Sequence, residues 1–501
     1  MLRRLPLPRI PPLVLFGLAA VGVSLPFLGA AAWLYRPGFP LDDAWIYQTF
    51  ARTWMQTGVW GARPDQPAAG ATAPLWVWLL VPGQALGSAM ALLWTWGLGS
   101  LLLALLAWGA YRQAREEGLP ARGAWRLGLL MLTEWHLVWS ALSGMETLAF
   151  ALLAWWTLRQ LQRERPAWGW IGWLIGLGVW IRPEALLLLL AWAWRAGWLP
   201  RHRDRWRALL LTGFPLAVLV LLYVLFQLVV TGQPWPNTAQ AKMAEYAALR
   251  HQPLALRWLR MAWAPLVGPA LVLLPWTVKG LKSTPRAWGD ALWAAAHITL
   301  YALQLPAPYQ HGRYVVPILP VLLWWGGKGL WARKGNPRTN PLLSGPSRAW
   351  ARRWRFFRDT LVAMTVVGFG ILGARVYAQD VAVIESEMVA AARWVRDHLP
   401  LEEPIAAHDI GALGYYAPQP LVDLAGLLNP EVIPILRDGP ALAEYLEARG
   451  IRYLVLFPHW YGADFTRCSA PLYRTQGIFA PQLGGENMVV YRWRPCPPGH
   501  R

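Results

Sequence analysis

Charged residues are scarce in this sequence. Asp, Glu, Lys and Arg together make up 15% of the 501 residues, whereas 56% are hydrophobic. A soluble globular domain carries roughly a quarter charged residues, so this composition argues against a soluble protein. Apolar runs long enough to cross a hydrocarbon core of about 30 Å recur through the first three quarters of the chain. The sequence therefore predicts a polytopic α-helical membrane protein.

Cysteine is rare in this sequence, and no internal repeat is evident. Only Cys468 and Cys496 occur, both near the C-terminus, and they do not form a metal-ligand pattern. A disulfide between them and a pair of free thiols both stay open, and an oxidising compartment favours the disulfide. No internal repeat is evident, whereas transporters are commonly built from inverted repeats.

Acidic residues are outnumbered, 27 against 47 basic ones, which leaves a net charge of +20. Such a balance would suggest nucleic acid in a soluble protein. Here the basic residues lie in short loops between apolar runs, where Lys and Arg mark the cytoplasmic side. We therefore predict a multi-pass plasma-membrane protein whose partner is the lipid bilayer, with no nucleic acid and with a cytoplasmic N-terminus. The run at about 13–35 is a retained first helix, because a cleavable signal peptide has a shorter apolar region.

Two long apolar runs decide the predicted topology. Residues 127–158 are interrupted by "SGMET" (143–147), and residues 168–198 are interrupted by "RPE" (182–184). Basic loops flank both runs on both sides, so each is predicted to be a hairpin whose interruption faces outward. Arms of about 14–16 residues span only about 21–24 Å, which is less than the hydrocarbon core. The interruptions are therefore expected to lie recessed, in a cavity open to the outside.

The remaining apolar runs bring the predicted count to about 11 transmembrane helices. Residues 1–378 are predicted to form the transmembrane module and residues 379–501 a small extracytoplasmic α/β domain. Helical spacing in this domain is found at 386–399 and 440–450, and strand-like stretches lie at 404–409, 419–426, 452–457 and 487–493.

The stretch "LDDAWIYQTFARTW" (41–54) places two carboxylates, Asp42 and Asp43, directly after the first span. Asp42 could cap the following helix, with Asp43 favoured by the helix dipole. Apolar residues at i, i+4 and i+8 within this stretch predict that the helix lies along the membrane interface. A cap explains one Asp well and two adjacent ones less well.

Other unusual polar residues fall on the same predicted face of the membrane. Polar groups at membrane depth are costly and usually serve function. A sugar linked to a polyprenyl phosphate has a good leaving group, so its transfer needs a base for the acceptor hydroxyl and cations for the departing phosphate. Asp42 or Asp43 is the predicted base, with Asp42 slightly favoured. The predicted substrate-binding residues are Glu146, Arg182, Glu184, Asn237, Lys242, His311, Arg313, Asp409 and Asp423, of which Arg182, Lys242, His311 and Arg313 supply the cations.

The stretch from residue 41 to "AAGATAPLW" resembles the first external loop of GT-C glycosyltransferases, particularly the terminal arabinofuranosyltransferase-like branch. The matching element is Gly70, Thr72, Leu75 and Trp76, with Ala69 and Ala71 in place of the Glu and aromatic residue expected there. "SGMET", "RPE", "PWPNTAQAKM", "RYVVPILP" and "DIGALGYYAPQPLVDLAGLLNPEV" are similar to further blocks of that branch, in the same order. The likeness spans most of residues 40–432.

The resemblance implies a polytopic GT-C fold and a transferase, inverting or retaining, that uses a polyprenyl-phosphate-linked sugar on the extracytoplasmic side. The implied acceptor is a cell-envelope glycan, a glycolipid or a protein, and the Asp-Asp pair is the implied catalytic site. Two other classes stay open: a transporter or flippase of lipid-linked sugars, and a non-catalytic envelope protein that binds glycan. No cofactor is predicted, with a divalent cation at the Asp pair as the alternative.

Overall fold

The computed structural model describes residues 10–332 and 346–495. From residue 10 to residue 331 the chain is mostly helical, with one short hairpin of β1 (Gly61–Arg63) and β2 (Gln66–Pro67) after the second helix. The helices are α1 (Pro12–Leu34), α2 (Asp42–Thr57), α3 (Pro74–Ala85), α4 (Ser88–Glu116), α5 (Ala121–Thr133), α6 (Trp135–Leu142), α7 (Thr147–Gln162), α8 (Trp168–Val179), α9 (Leu188–Gly197), α10 (His202–Thr231), α11 (Thr238–Glu245), α12 (Leu254–Trp263), α13 (Pro269–Leu281), α14 (Trp288–Gln304), α15 (Tyr309–Gly312) and α16 (Leu319–Trp331).

The last part of the chain contains a mixed sheet of five strands in the order β4-β3-β5-β7-β6. Strand β3 pairs in parallel with β4 and β5, and β7 pairs antiparallel with β5 and β6. The helices are α17 (Pro346–Ser386), α18 (Met388–His398), α19 (Gly411–Tyr416), α20 (Gly439–Ala448), α21 (Ala463–Thr466) and α22 (Phe479–Gln482), and the strands are β3 (Ile405–Ala407), β4 (Leu421–Asp423), β5 (Tyr453–Leu456), β6 (Ala470–Arg474) and β7 (Val489–Arg492).

The strands and helices predicted in this C-terminal segment are confirmed, whereas strand β6 and the short helices α19, α21 and α22 were not predicted. Strand β6 contains Pro471 and is mostly exposed at the sheet edge, so it has neither the apolar alternation nor the composition of a typical strand. Helix α17 continues through residue 378 to Ser386, so the predicted domain boundary falls inside one helix. The division into two domains and the side of the membrane stay predictions. Cys496 lies outside the described residues, and so does the question of a disulfide between it and Cys468.

Four helical segments in the described ranges are long and apolar enough to cross a membrane: Pro12–Leu34, Ser88–Glu116, His202–Thr231 and Arg353–His398. A fifth is obtained if the bent pair Leu254–Leu266 and Pro269–Leu281, which meet at 104°, is counted as one span. The predicted count of 11 includes hairpin arms that are shorter than a spanning helix, and it stays a prediction.

The helix breaks predicted at "SGMET" and "RPE" are confirmed. Helix α6 ends at Leu142 and α7 begins at Thr147, while α8 ends at Val179 and a 3₁₀ turn begins at Pro183. A break that the sequence analysis missed lies at Glu134, whose Oε2 accepts a hydrogen bond from the Leu137 N–H (3.1 Å) and so caps α6.

Helix α2 is covered by protein on most of its surface, and its position along the membrane interface stays a prediction. Trp45 and Phe50, which lie on different faces, are both fully buried. Helices α3 and α19 pack against α2, and α19 belongs to the C-terminal segment. Because α3 and α19 both pack on it, α2 lies between the helical part and the C-terminal segment.

Candidate active site

A cavity of about 370 Å³ lies beside α2, and we call it the Asp43 cavity. Segments that are far apart in the sequence meet in it: α2, the two helix breaks, α11 and the turn that includes α15. Apolar side chains such as Ile46, Leu305 and Leu427 line part of its wall. Its charged lining residues are Asp43, Glu146, Arg182, Glu184, Lys242 and Arg313. Six of the residues singled out from the sequence are thus brought together.

Asp43 and Arg313 form an ion pair in this cavity. The Arg313 Nη2 donates to Asp43 Oδ2 at 2.5 Å, and the Arg313 side chain is buried. Burial acts to raise the pKa of the Asp43 carboxyl, but the charges of Lys242 and Arg313 outweigh it and lower that pKa below its ordinary value. Asp43 is therefore ionised near neutral pH.

Arg182 connects the two helix breaks. Its Nε donates to Glu146 Oε1 (2.8 Å) and its Nη2 to Thr147 Oγ1 (3.1 Å). Glu184 Oε1 lies 3.6 Å from Arg182 Nη1 and accepts a hydrogen bond from the Tyr301 hydroxyl. Because these groups partner one another, the arrangement holds the hairpins together and at the same time directs charged groups at the cavity.

Lys242 begins a chain of charges that leads away from the cavity. Its Nζ lies 3.3 Å from Glu245 Oε2, and Glu245 Oε1 lies 3.9 Å from His408 Nε2. Burial raises the pKa of Glu245, but the neighbouring His408 and Lys242 outweigh it and lower that pKa to about 2. The sequence analysis missed Glu245 and His408. Glu245 lies three residues after Lys242 on α11, which was the available signal, whereas His408 follows a distant strand.

Asp42 faces a different region, which we call the α2–α19 joint (Asp42, Gly411 and Ala412). Its two carboxylate oxygens accept hydrogen bonds from the backbone N–H groups of Gly411 (2.7 Å) and Ala412 (2.8 Å). A Cβ on Gly411 would collide with the Asp42 backbone, so this close approach requires glycine. The alternative that Asp42 caps its own helix is therefore wrong, because its carboxylate accepts N–H groups at the start of α19 and makes no capping hydrogen bond in α2.

The pKa of Asp42 is raised to about 6, mainly by burial, even though the two backbone hydrogen bonds lower it. Asp409 lies close enough for the two charges to interact, and burial and the Asp42 charge raise its pKa as well. Asp409 Oδ2 is buried and has no hydrogen-bond partner within the ranges that the structure covers. Neither carboxylate is among the lining residues of the Asp43 cavity.

Asp423 and Asn237 hold one turn in place. Asp423 accepts backbone hydrogen bonds from Ala425 (2.7 Å) and Leu428 (2.7 Å), and Asn237 Nδ2 donates to the carbonyl oxygens of Gly426 (2.9 Å) and Leu427 (3.2 Å). Leu427 lines the Asp43 cavity. These two sequence candidates therefore shape the wall and do not themselves line it.

His311 lies outside the Asp43 cavity. Its Nε2 is 2.8 Å from Asp380 Oδ2, and its ring lies against those of Trp135 and Trp139. Gln310 and His311 both have left-handed backbone conformations (φ 54° and 59°), which are uncommon for residues other than glycine. His311 therefore anchors the turn from which Arg313 reaches Asp43.

The element from Gly70 to Trp76 also contributes to the cavity. Gly70 and Thr72 line it, and Thr72 Oγ1 lies 2.8 Å from Thr238 Oγ1. Trp76 Nε1 donates to the carbonyl of Gly144 (2.9 Å) at the first helix break. Gly144 has φ 77°, and a Cβ there would lie 2.8 Å from Ala44 Cβ. This element therefore joins α3 to the break that carries Glu146.

The described residues contain no group of three or more His, Cys, Asp or Glu side chains that could hold a metal ion. Asp43 is paired with Arg313, and both oxygens of Asp42 accept backbone N–H groups. The divalent-cation alternative at the Asp pair thus has no ligand set within those ranges.

Solved structures of two membrane glycosyltransferases have the same arrangement of helices. ArnT from Cupriavidus metallidurans, bound to undecaprenyl phosphate, matches with a TM-score of 0.59 and 15% identity over 95% of this chain and 97% of that chain. The Archaeoglobus fulgidus oligosaccharyltransferase, in complex with zinc and sulfate, matches with a TM-score of 0.57 and 12% identity over 89% of this chain and 68% of that chain. The chain shares the fold of these two proteins, which are GT-C glycosyltransferases.

Comparisons of the sequence alone match a smaller part of the chain. A family model described as "Domain of unknown function (DUF8728)" matches residues 374–491, which is the part of the chain that carries the sheet. No curated protein matches the sequence. The expected GT-C fold is thus supported by the fold of the two structural neighbours, and the particular branch stays a proposal.

Proposed function

We propose that this protein is a membrane glycosyltransferase that moves a sugar from a polyprenyl-phosphate donor to an acceptor hydroxyl in the Asp43 cavity. The observation that carries the proposal is the meeting of the ionised carboxylate of Asp43 with three cationic side chains, Arg182, Lys242 and Arg313, in a cavity whose wall also includes apolar side chains. The GT-C fold, and a relative solved with undecaprenyl phosphate, support the same kind of donor.

In the proposed reaction the acceptor oxygen forms a bond to the anomeric carbon while the bond from that carbon to the phosphate oxygen breaks. The electron pair of the broken bond stays on the polyprenyl phosphate, and the acceptor proton passes to Asp43. Asp43 is the favoured base because it faces the cavity, whereas both oxygens of Asp42 are held by the α2–α19 joint. The phosphate needs no protein acid because it is already a good leaving group.

Arg313 can bind the phosphate of the donor while it is also paired with Asp43. Its Nε and Nη1 are buried and make no hydrogen bond in the described part of the chain, and the same holds for Arg182 Nη1. Buried N–H donors without partners are costly, and a phosphate oxygen would satisfy them with charge-assisted bonds. When the phosphate shares these cations, their hold on the Asp43 charge weakens, which makes Asp43 a stronger base.

The finer assignments rest on the sequence. The likeness to the terminal arabinofuranosyltransferase-like branch favours a cell-envelope glycan, a glycolipid or a protein as the acceptor. Gly70 and Thr72, which belong to the element that resembles this branch, line the cavity.

The distribution of the basic loops supports a position of the cavity on the extracytoplasmic side of the plasma membrane. Cysteines introduced at exposed Asp65 and Arg203 test this orientation. An impermeant thiol reagent added to intact cells should label position 65 only, and labelling of position 203 would overturn the assignment.

The test of the activity is an analysis of lipid-linked sugars in cells that lack the protein. We expect a polyprenyl-phosphate sugar to accumulate and an envelope product to lose the corresponding sugar. Purified protein should then transfer sugar from the accumulated lipid to the truncated product. Unchanged lipid-linked sugars and unchanged envelope products would contradict the proposal.

A further inference from the structure

A second, larger space lies between α1 and α17, and we call it the α1–α17 groove. It encloses about 950 Å³ and shares no lining residue with the Asp43 cavity. Its walls are apolar and include Val23, Phe27, Val367 and Ile371. Both helices belong to segments that are apolar and long enough to cross a membrane. The groove is therefore suited to an extended hydrocarbon chain.

The groove has one cation. Arg375 is the only charged residue among its lining residues, and within the described ranges it has no ion pair and no side-chain hydrogen bond. Gln379, one turn further along α17, and Gln482 of α22 also line this end. Arg375 is exposed at this end of the apolar groove, where its charge can attract an anionic lipid head group. The arrangement therefore fits a ligand with an apolar chain and an anionic head.

The position of Arg375 along α17 matches the level of lipid phosphates. Two residues later, the Tyr377 hydroxyl donates to the Gly38 carbonyl (3.1 Å), so this turn of α17 lies beside the end of α1. Trp33, in the last turn of α1, lines the groove and is 89% exposed. Exposed tryptophans lie preferentially at the headgroup level of membranes. Arg375 is thus placed where a phosphate would be.

We propose that the α1–α17 groove binds an anionic phospholipid of the bilayer, with its phosphate on Arg375 and an acyl chain between Val23, Phe27 and Ile371. The donor lipid is a poorer fit, because its phosphate must lie in the Asp43 cavity to react. A second copy of the chain is a poorer fit too, because an interface would need an acidic partner for Arg375.

Two glycines of α17 make a matched test. A Cβ at Gly368 or at Gly370 would meet no atom within 4 Å, so a leucine is tolerated at both positions. Only Gly370 lines the groove. Gly370→Leu therefore fills the groove, and Gly368→Leu is its control. Arg375→Gln removes the cation, and Arg355→Gln, at an exposed position on the same helix, is its control.

The measurement is native mass spectrometry of the purified full chain with added phosphatidylglycerol. We expect the wild type and both controls to retain one lipid, Arg375→Gln to bind it about fivefold more weakly, and Gly370→Leu to lose it. Equal retention by all five proteins would overturn the proposal. So would displacement of the bound lipid by polyprenyl phosphate, which would assign the groove to the donor. A dimer that Gly370→Leu converts to a monomer without loss of lipid would assign it to a second copy and also overturn the proposal.

Discussion

Asp42 and Asp43 are adjacent in the sequence, yet their carboxylates lie in two regions with opposite electrostatics. In the Asp43 cavity the carboxylate meets the full charges of Arg313 and Lys242, which lower its pKa against the effect of burial. In the α2–α19 joint the carboxylate meets two backbone N–H groups, and burial prevails and raises its pKa to about 6. Full charges offset desolvation where backbone dipoles do not.

The geometry of the helix explains the separation. Successive residues of an α-helix are turned by about 100°, since there are 3.6 residues per turn. Asp43 therefore points toward the helix breaks, and Asp42 points toward α19. Asp43 is suited to accept a proton from a bound hydroxyl, whereas Asp42 connects the helical part of the chain to the C-terminal segment.

The largest effect is expected at Asp43. Asp43→Asn keeps the size of the side chain but removes the base, so transfer should fall by about 10²-fold or more while the protein still folds and binds donor. Transfer in membranes that contain each variant is the measurement. Asp65→Asn, at an exposed residue of the hairpin turn, is the control. A near-wild-type rate for Asp43→Asn would place the base elsewhere, with Glu146 or Glu184 next.

Arg313→Lys keeps the charge but loses the planar guanidinium group. In the wild type, one nitrogen of this group donates to Asp43 and the other two nitrogens remain for a phosphate. Loss of charge-assisted hydrogen bonds should weaken the productive binding of donor by about tenfold. The kcat/KM for a purified polyprenyl-phosphate sugar measures this, with Arg449→Lys, an exposed ion pair, as the control. An unchanged kcat/KM would remove Arg313 from the phosphate site.

Asp42→Asn should leave transfer within about threefold of the wild type, because asparagine still accepts a backbone N–H group. Its effect lies in the pH dependence of stability. The folded-state pKa of about 6 exceeds the ordinary value of 3.8. The stabilisation by protonated Asp42 is therefore complete below about pH 3.8 and is lost as the pH rises through about 6, with a size on the order of 3 kcal/mol.

The Tm of the wild type minus that of Asp42→Asn should therefore increase as the pH falls from 8 to 5 in detergent solution. A difference that stays constant over this range would show that Asp42 does not titrate there. The same comparison with Asp43→Asn should give no such increase, because the pKa of Asp43 is lowered and its stabilisation is lost only at more acidic pH.

The smallest effect is expected at Trp76. Trp76→Phe leaves the Gly144 carbonyl without the indole N–H, a loss of about 1 kcal/mol that should lower the Tm by about 2 °C. Because this bond shapes the Asp43 cavity and not the joint, the pH dependence of the Tm should stay that of the wild type. Trp33→Phe, at a residue that is 89% exposed, is the control. A larger loss of activity than in Asp43→Asn would contradict the division between the two regions.

Local sequence determined the helical character of the chain, the breaks at residues 143–146 and 182, and most strands of the C-terminal segment. Each depends on neighbouring residues: apolar runs, Gly and Pro interruptions, and alternation. The residue types of the site were also readable, because charged groups are conspicuous among apolar helices. The break at Glu134 was missed, since a single capping carboxylate inside an apolar run leaves only a weak signal.

Only the tertiary structure decided which charged groups meet. His311 and Arg313 are two residues apart, yet a left-handed turn sends Arg313 to Asp43 and His311 to Asp380. The sequence slightly favoured Asp42 over Asp43, and it contained no sign that α19, more than 360 residues later, would occupy both Asp42 oxygens. Partners so distant are selected by packing between elements, which adjacency in the chain does not encode.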